Sequence, residues 1–261
     1  MTKLLIDNHN ADSRMHSRED VVLRSQRVLK DDAVDKTVYK DIPQYARVGS
    51  PLQLEHLLYV LAGQSTGILS ATKLAQQVGL SQPTIDKYIL HLERSHMIFR
   101  LTNCAGSEET IQRRGRKCYF VDSAVRNATL QRGISPIHDG IEQGTLLENL
   151  AASSLHTLSL NEGKRLHYWR HKQSEVDLVY GHGDDCLAFE IASSPSHHRS
   201  GLLALVNQHR RFRGHAYLVA PGCGVRHAAS DDSGIGTLPY ETFLRCVGAQ
   251  TRRAMRERLG W

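Results

Sequence analysis

Cysteine is scarce and scattered. The five residues at Cys104, Cys118, Cys186, Cys223 and Cys246 form no CxxC pair. That excludes a zinc knuckle and a disulfide framework and points to a reducing cytoplasm. No apolar run approaches the length of a membrane span, and the opening MTKLLIDNHNADSR is too polar for a secretory signal. No membrane association is expected. No GxxxxGK[ST] occurs. Without those glycines and that lysine no P-loop can bring backbone amides onto phosphate, so no ATP site is expected in this chain. No HExxH occurs either, and the fifteen histidines are dispersed apart from the pair His197 and His198. They read as surface residues rather than ligands.

What is present is ordinary for a globular chain. Of 261 residues, 40% are hydrophobic and 23% charged, enough for two modest domains. The net charge of +6 suits a nucleic-acid partner without specifying one.

The most informative stretch is LHYWRHKQSEVDLVYGHGDDCLAFEIASS, from Leu166 to Ser194. It predicts three short strands: Leu166 to Arg170, Glu175 to Tyr180 and Cys186 to Ala192, with Gly and Asp marking the last turn. Pairing Leu178 with Phe189 sets Val176 against Ile191 and Tyr180 against Leu187, which makes one face apolar. The same register sets Asp177 opposite Glu190, with Glu175 beside them. Opposed residues of an antiparallel pair lie about 5 Å apart at Cβ. Carboxylates that close need a cation or a proton between them, and oxygen-rich sites suit magnesium or manganese.

Upstream, Glu19 to Lys30 and Gln53 to Leu61 have helical spacing. Ser70 caps a further helix that Gly79 stops, and Ser81 caps the next, with Pro83 tolerated in its first turn. On that second helix Ile85, Ile89, Leu92 and, a turn on, His96 share a side. The pattern is helix-turn-helix. Strands at Ile98 to Leu101 and Lys117 to Asp122 add a wing. Thr84 and Lys87 sit where such helices meet base edges, and Arg113, Arg114, Arg116 and Lys117 on the wing suit phosphate. Ser123 to Pro136 reads as a linker. Ile141 to Leu160 reads as a helix whose stripe of Leu147, Leu150, Ala151, Ser154, Leu155 and Leu158 is buried, with Glu148 at its border. A helix from Ser200 to Arg213 and a strand from His215 to Ala220 imply a parallel crossover and a mixed sheet.

GTLLENL at Gly144 to Leu150, YWRHKQSEVDLV at Tyr168 to Val179 and FEIASS at Phe189 to Ser194 resemble the C-terminal region of a family of bacterial and archaeal AAA-type ATPases. There a winged helix precedes a domain like the PD-(D/E)XK, or restriction-endonuclease-like, nucleases. The resemblance implies an α/β fold: an N-terminal winged helix-turn-helix, then a mixed sheet flanked by helices. It implies a polar segment and connector over 1–50, a winged helix over 51–135, the nuclease-like domain over 136–247 and a basic tail over 248–261. It also implies metal ligands at Glu148, Asp177 and Glu190, binding Mg or Mn. The motif lysine falls at Ala192, so Lys172, in the turn before the second strand, is the candidate replacement.

The function this implies is a nuclease-like, impaired or non-catalytic module that binds nucleic acid or an ATPase partner. Alternatives are an active Mg/Mn-dependent DNA endonuclease, using Glu148, Asp177, Glu190 and Lys172 catalytically, and a winged-helix transcription regulator.

Overall fold

The computed structural model describes residues 18–104, 115–230 and 232–259. These are mixed α/β, with helices, a five-stranded sheet and a two-stranded hairpin. The chain divides into two compact units. One comprises the described residues of Met1–Gly63, Ala71–Met97 and Asp122–Gly140; the other, those of Gln64–Ser70, Ile98–Val121 and Ile141–Trp261.

The first unit is helical. It contains α1 (Arg18–Leu29), two π-helical turns (Lys30–Asp35 and Thr37–Asp41), α2 (Ile42–Tyr45), α3 (Pro51–Gly63), α4 (Ala71–Val78), α5 (Gln82–Arg94) and α6 (Ser123–Leu130). Its core gathers Val34, Val38 and Ile42 with Leu54, Leu57, Leu58, Leu61, Leu74, Ile85 and Leu92. Gly79 ends α4 at φ +71°, a backbone setting that a side chain disfavours. Ser81 caps α5 by accepting from the Thr84 amide. His96 lies beyond the end of α5, in the left-handed region at φ +56°. The segment 123–136, read as a linker, contains α6 instead. The Asp122 carboxylate accepts from the Ala124 amide at 2.7 Å, and Arg126 is wholly buried, its Nε donating to the Ala62 carbonyl at 2.9 Å. A buried guanidinium satisfied by a helix-end carbonyl carries no signature in sequence periodicity.

The second unit is layered. β1 (Ile98–Leu101) and β2 (Lys117–Phe120) form an antiparallel hairpin. After α7 (Gly140–Glu162) come β3 (Leu166–His171), β4 (Ser174–His182) and β5 (Asp185–Ile191). Next are α8 (Ser200–Gln208), β6 (Ala216–Ala220), β7 (Ile235–Pro239) and α9 (Tyr240–Leu259). The sheet order is β3-β4-β5-β6-β7. The β3–β4 and β4–β5 pairs are antiparallel, and β5–β6 and β6–β7 parallel. Each face has its own core. Leu178, Tyr180, Phe189 and Ile191 pack with Ala151, Leu155 and Leu158 of α7 and with Phe243 and Val247 of α9. Val176, Val179, Ala188 and Leu218 pack with Leu202, Leu205 and Val206 of α8.

On α7 the buried positions include Asn149, Ala152 and Ser153, while Leu150 is 41% exposed. The expected stripe is therefore rotated toward polar residues. Asn149 explains the rotation: its amide donates to the Phe120 carbonyl at 3.0 Å and its oxygen accepts from the Phe120 amide at 2.8 Å. One buried side chain thus completes the backbone bonding of β2 and fixes the hairpin on α7.

Candidate functional site

The site begins with an irregularity in β4. Leu178 pairs with Phe189 and Tyr180 with Leu187, as the alternation predicts. Against β3, however, the register slips: His167 faces Val179, but Trp169 faces Val176. One extra residue therefore sits in β4 around Asp177. Such a bulge reverses the in–out alternation and re-aims side chains. Val176 accordingly joins the α8-side core rather than the face of Leu178. The expected Val176–Ile191 and Asp177–Glu190 rungs are absent, because the β4–β5 ladder stops at Leu178–Phe189. Asp177 fills the gap with its side chain: Oδ2 accepts from the Ile191 amide at 2.9 Å.

Into this opening β2 sends Lys117. Its side chain is 3% exposed, and Nζ lies 2.9 Å from Glu148 Oε1, 2.8 Å from Glu175 Oε1 and 3.0 Å from Asp177 Oδ1. The Tyr119 hydroxyl donates to the same Glu148 oxygen at 2.8 Å. Residues 117 and 119 alternate along one strand and so reach the same helix together. Burial alone would lower the Lys117 pKa. The carboxylates of Glu148, Asp177 and Glu175 outweigh it and hold the ammonium charged, well above the usual lysine range. One ammonium cannot neutralise three carboxylates. Burial, and then the charge of Asp177, raise Glu148 to about 7 against the pull of Lys117. Burial, and then the charge of Glu148, also raise the Tyr119 phenol, which stays a neutral donor.

Glu190 is not among the three carboxylates paired with the lysine, though it feels its charge. It pairs with Leu218 along β5–β6 and so shares the α8 side of the sheet. A side chain on Gly201 of α8 would meet Glu190 Oε2 at 3.5 Å. His197 Nε2 lies 3.4 Å from Glu190 Oε1, while Oε2 is buried and has no hydrogen-bond partner among the described residues. Burial and the charge of Asp177 raise Glu190 to about 8, and the hydrogen bond to Glu190 raises His197.

The structure therefore brings Glu148 and Asp177 together, adds Glu175, and sets Glu190 on the far side of the opening. Lys172 is exposed in the β3–β4 turn at φ +55°, and among the described residues it forms no ion pair with the acids. Lys117, read as a wing residue facing phosphate, is instead the buried centre of the cluster. Arg116 is half-buried, while Arg113 and Arg114 lie outside the described residues. Thr84 is half-buried at its cap. Lys87 is exposed, its Nζ donating to the Arg47 carbonyl at 3.3 Å. The alternation of Lys117 and Tyr119 in KCYF was the one sequence signal for a strand presenting two polar tips to the acids.

As placed, these residues do not fit a divalent ion. The oxygens nearest one another already share an ammonium, and a metal at about 2.1–2.4 Å from them would collide with it. Among the described residues no three His, Cys, Asp or Glu side chains converge as a metal-binding group.

Residues 18–135 match the model of a family described as a domain of unknown function (DUF8612), and residues 143–235 match that of a second domain of unknown function (DUF4143). Lys117 falls in the first match and all four acids in the second. No curated protein matches the chain. Protein VC1899 from Vibrio cholerae, a solved structure, aligns with 92% of this chain at 13% identity and a TM-score of 0.28. The chain covers 57% of that protein's length. No helix among the described residues is long and apolar enough to cross a membrane. The two matched regions thus meet in one ion cluster.

Proposed function

We propose that the chain is a nuclease-like module that binds rather than cuts, its acidic site closed by the side chain of Lys117. One observation carries this reading. The ammonium lies within 3.0 Å of oxygens from Glu148, Glu175 and Asp177, so a cation of the protein's own occupies the place where the resemblance calls for a metal. Glu190 makes no bond to Lys117 among the described residues and hydrogen-bonds to His197 instead. The helix-turn-helix likeness of α4 and α5, with a net charge of +6, supports a nucleic-acid partner. The likeness to ATPase-linked domains supports an ATPase partner. In either case the sheet domain serves as a scaffold.

The test is incubation of the pure protein with supercoiled plasmid in Mg2+ or Mn2+, beside Asp177→Ala. Intact plasmid in both samples is the expected result. Metal-dependent nicking by the wild type that Asp177→Ala abolishes would overturn the proposal. A second reading would then hold: a Mg/Mn-dependent DNA endonuclease in which Lys117 replaces the missing motif lysine. The unpartnered Glu190 Oε2 is the observation that favours it.

A further inference from the structure

On the α8 side of the sheet, away from the acids, lies a cavity of 560 Å3 lined by Thr102, Arg165, His167, His182 and Arg211, with Gly181 among them. Its construction follows from the register. Val179 pairs with His167 on β3 and with Ala188 on β5, and Gly181 pairs with Cys186. The Gly181 amide donates to the Arg165 carbonyl at 3.0 Å. Arg165, just before β3, stands beside Gly181 and Cys186, and His167, Val179 and Ala188 form the next row across three strands. At Gly181 there is no side chain. A Cβ on Gly181 would come within 2.0 Å of the Asp185 carbonyl, and its φ is +118°. The backbone therefore requires glycine there, and glycine leaves the space open.

The lining is one-sided in charge. Among the described residues no acid lines the cavity. The nearby Asp185 is 82% exposed and pairs with Lys164 at 3.1 Å. Among the described residues neither Arg165 nor Arg211 has an acidic partner. Two thiols, Cys104 and Cys186, also line it. Burial pushes Cys104 up to about 12 and raises Cys186, in each case against the opposing charge of Arg211. They stay neutral and do not offset that guanidinium. Thr102 Oγ1 and His167 Nδ1, 2.9 Å apart, add polar atoms to the same space. Planar guanidiniums match phosphate oxygens two at a time. A free phosphate would leave most of the volume empty, whereas small-molecule sites span about 300–1,000 Å3.

We infer that this cavity binds a small phosphate-bearing molecule of mononucleotide size, with Arg165 and Arg211 holding the phosphate. The site is independent of the acidic cluster and of whether the module cuts nucleic acid.

The experiment is isothermal titration calorimetry on the full chain with AMP, GMP, CMP and UMP, with adenosine and a single-stranded oligonucleotide as comparisons. At least one monophosphate should bind at one per chain, compete with inorganic phosphate and lose at least tenfold in affinity in Arg165→Gln/Arg211→Gln. Adenosine should not bind. Both arginines are exposed, and circular dichroism checks that the variant folds. No binding of any monophosphate would overturn the inference. So would binding unchanged in the double variant, an equal loss in an Arg252→Gln/Arg253→Gln control on α9, or binding of the oligonucleotide alone.

Discussion

Two charged regions share one sheet and treat charge in opposite ways. On the α7 side, three carboxylates close on a lysine that is 3% exposed. On the α8 side, two arginines without acidic partners among the described residues line an open cavity of 560 Å3. Buried charge is costly unless it is paired, and breaking such a pair leaves the remaining charge stranded. The acid cluster is therefore part of the fold: any ligand there must displace a bond the protein already makes. The arginine cavity spends little folding free energy, because its cations remain hydrated until something else pairs them. Residues that look functional by type can thus be structural by pairing. Here Lys117 pairs the acids, while the two cavity arginines have no acidic partner among the described residues.

The sharpest break in this contrast is Lys117→Met. It leaves Glu148, Glu175 and Asp177 without their cation and should cost about 3–5 kcal/mol at neutral pH, read by urea denaturation. A cost under about 1 kcal/mol would mean that the cluster is held by solvent rather than by the lysine. Acidification should return part of the loss, since protonated carboxyls need no partner.

Next in size is the pH dependence. Glu148 and Glu190 are raised to about 7 and about 8, above their unfolded values, and His197 is raised by Glu190. A raised folded-state pKa contributes stability that is full below the unfolded pKa and fades as pH climbs through the folded one. All three act in the same direction, so the wild type should lose stability between about pH 5 and pH 8. Glu190→Gln removes one ionisation facing Asp177, Lys117 and His197. It should flatten the profile and gain on the order of 2 kcal/mol at pH 8 relative to its effect at pH 5, measured by thermal melts across that range. Parallel wild-type and variant profiles would place the titration elsewhere.

The smallest effect should come from the other face. Arg165→Gln/Arg211→Gln should change unfolding free energy by under about 0.5 kcal/mol, as surface substitutions do. A loss above 2 kcal/mol would make those arginines structural and erase the contrast.

Much of this was legible in the residues. Turn glycines, caps and periodicity give the helices and strands, and the alternation LVY against LAF in β4 and β5 gives the Leu178–Phe189 register, because side chains in a strand must alternate. Reading stopped at Asp177. A bulge is one residue in excess, set by how β3 meets β4, and it turned Val176 to the opposite core and cancelled the Asp177–Glu190 rung. Lys117 was legible as a basic residue in a strand but not as the partner of acids 31, 58 and 60 positions away. Local pattern cannot show such contacts.

What the sequence alone determined, then, is most of the elements, α6 excepted, and the presence of acids on α7, β4 and β5, since both follow from neighbours along the chain. The tertiary structure decided which charge meets which. Asn149 fixes the hairpin on α7, the bulge opens the sheet, and Lys117 enters from a distant strand. That outcome depends on packing across long chain separations, where a displacement of one residue turns a buried ion pair into an exposed one.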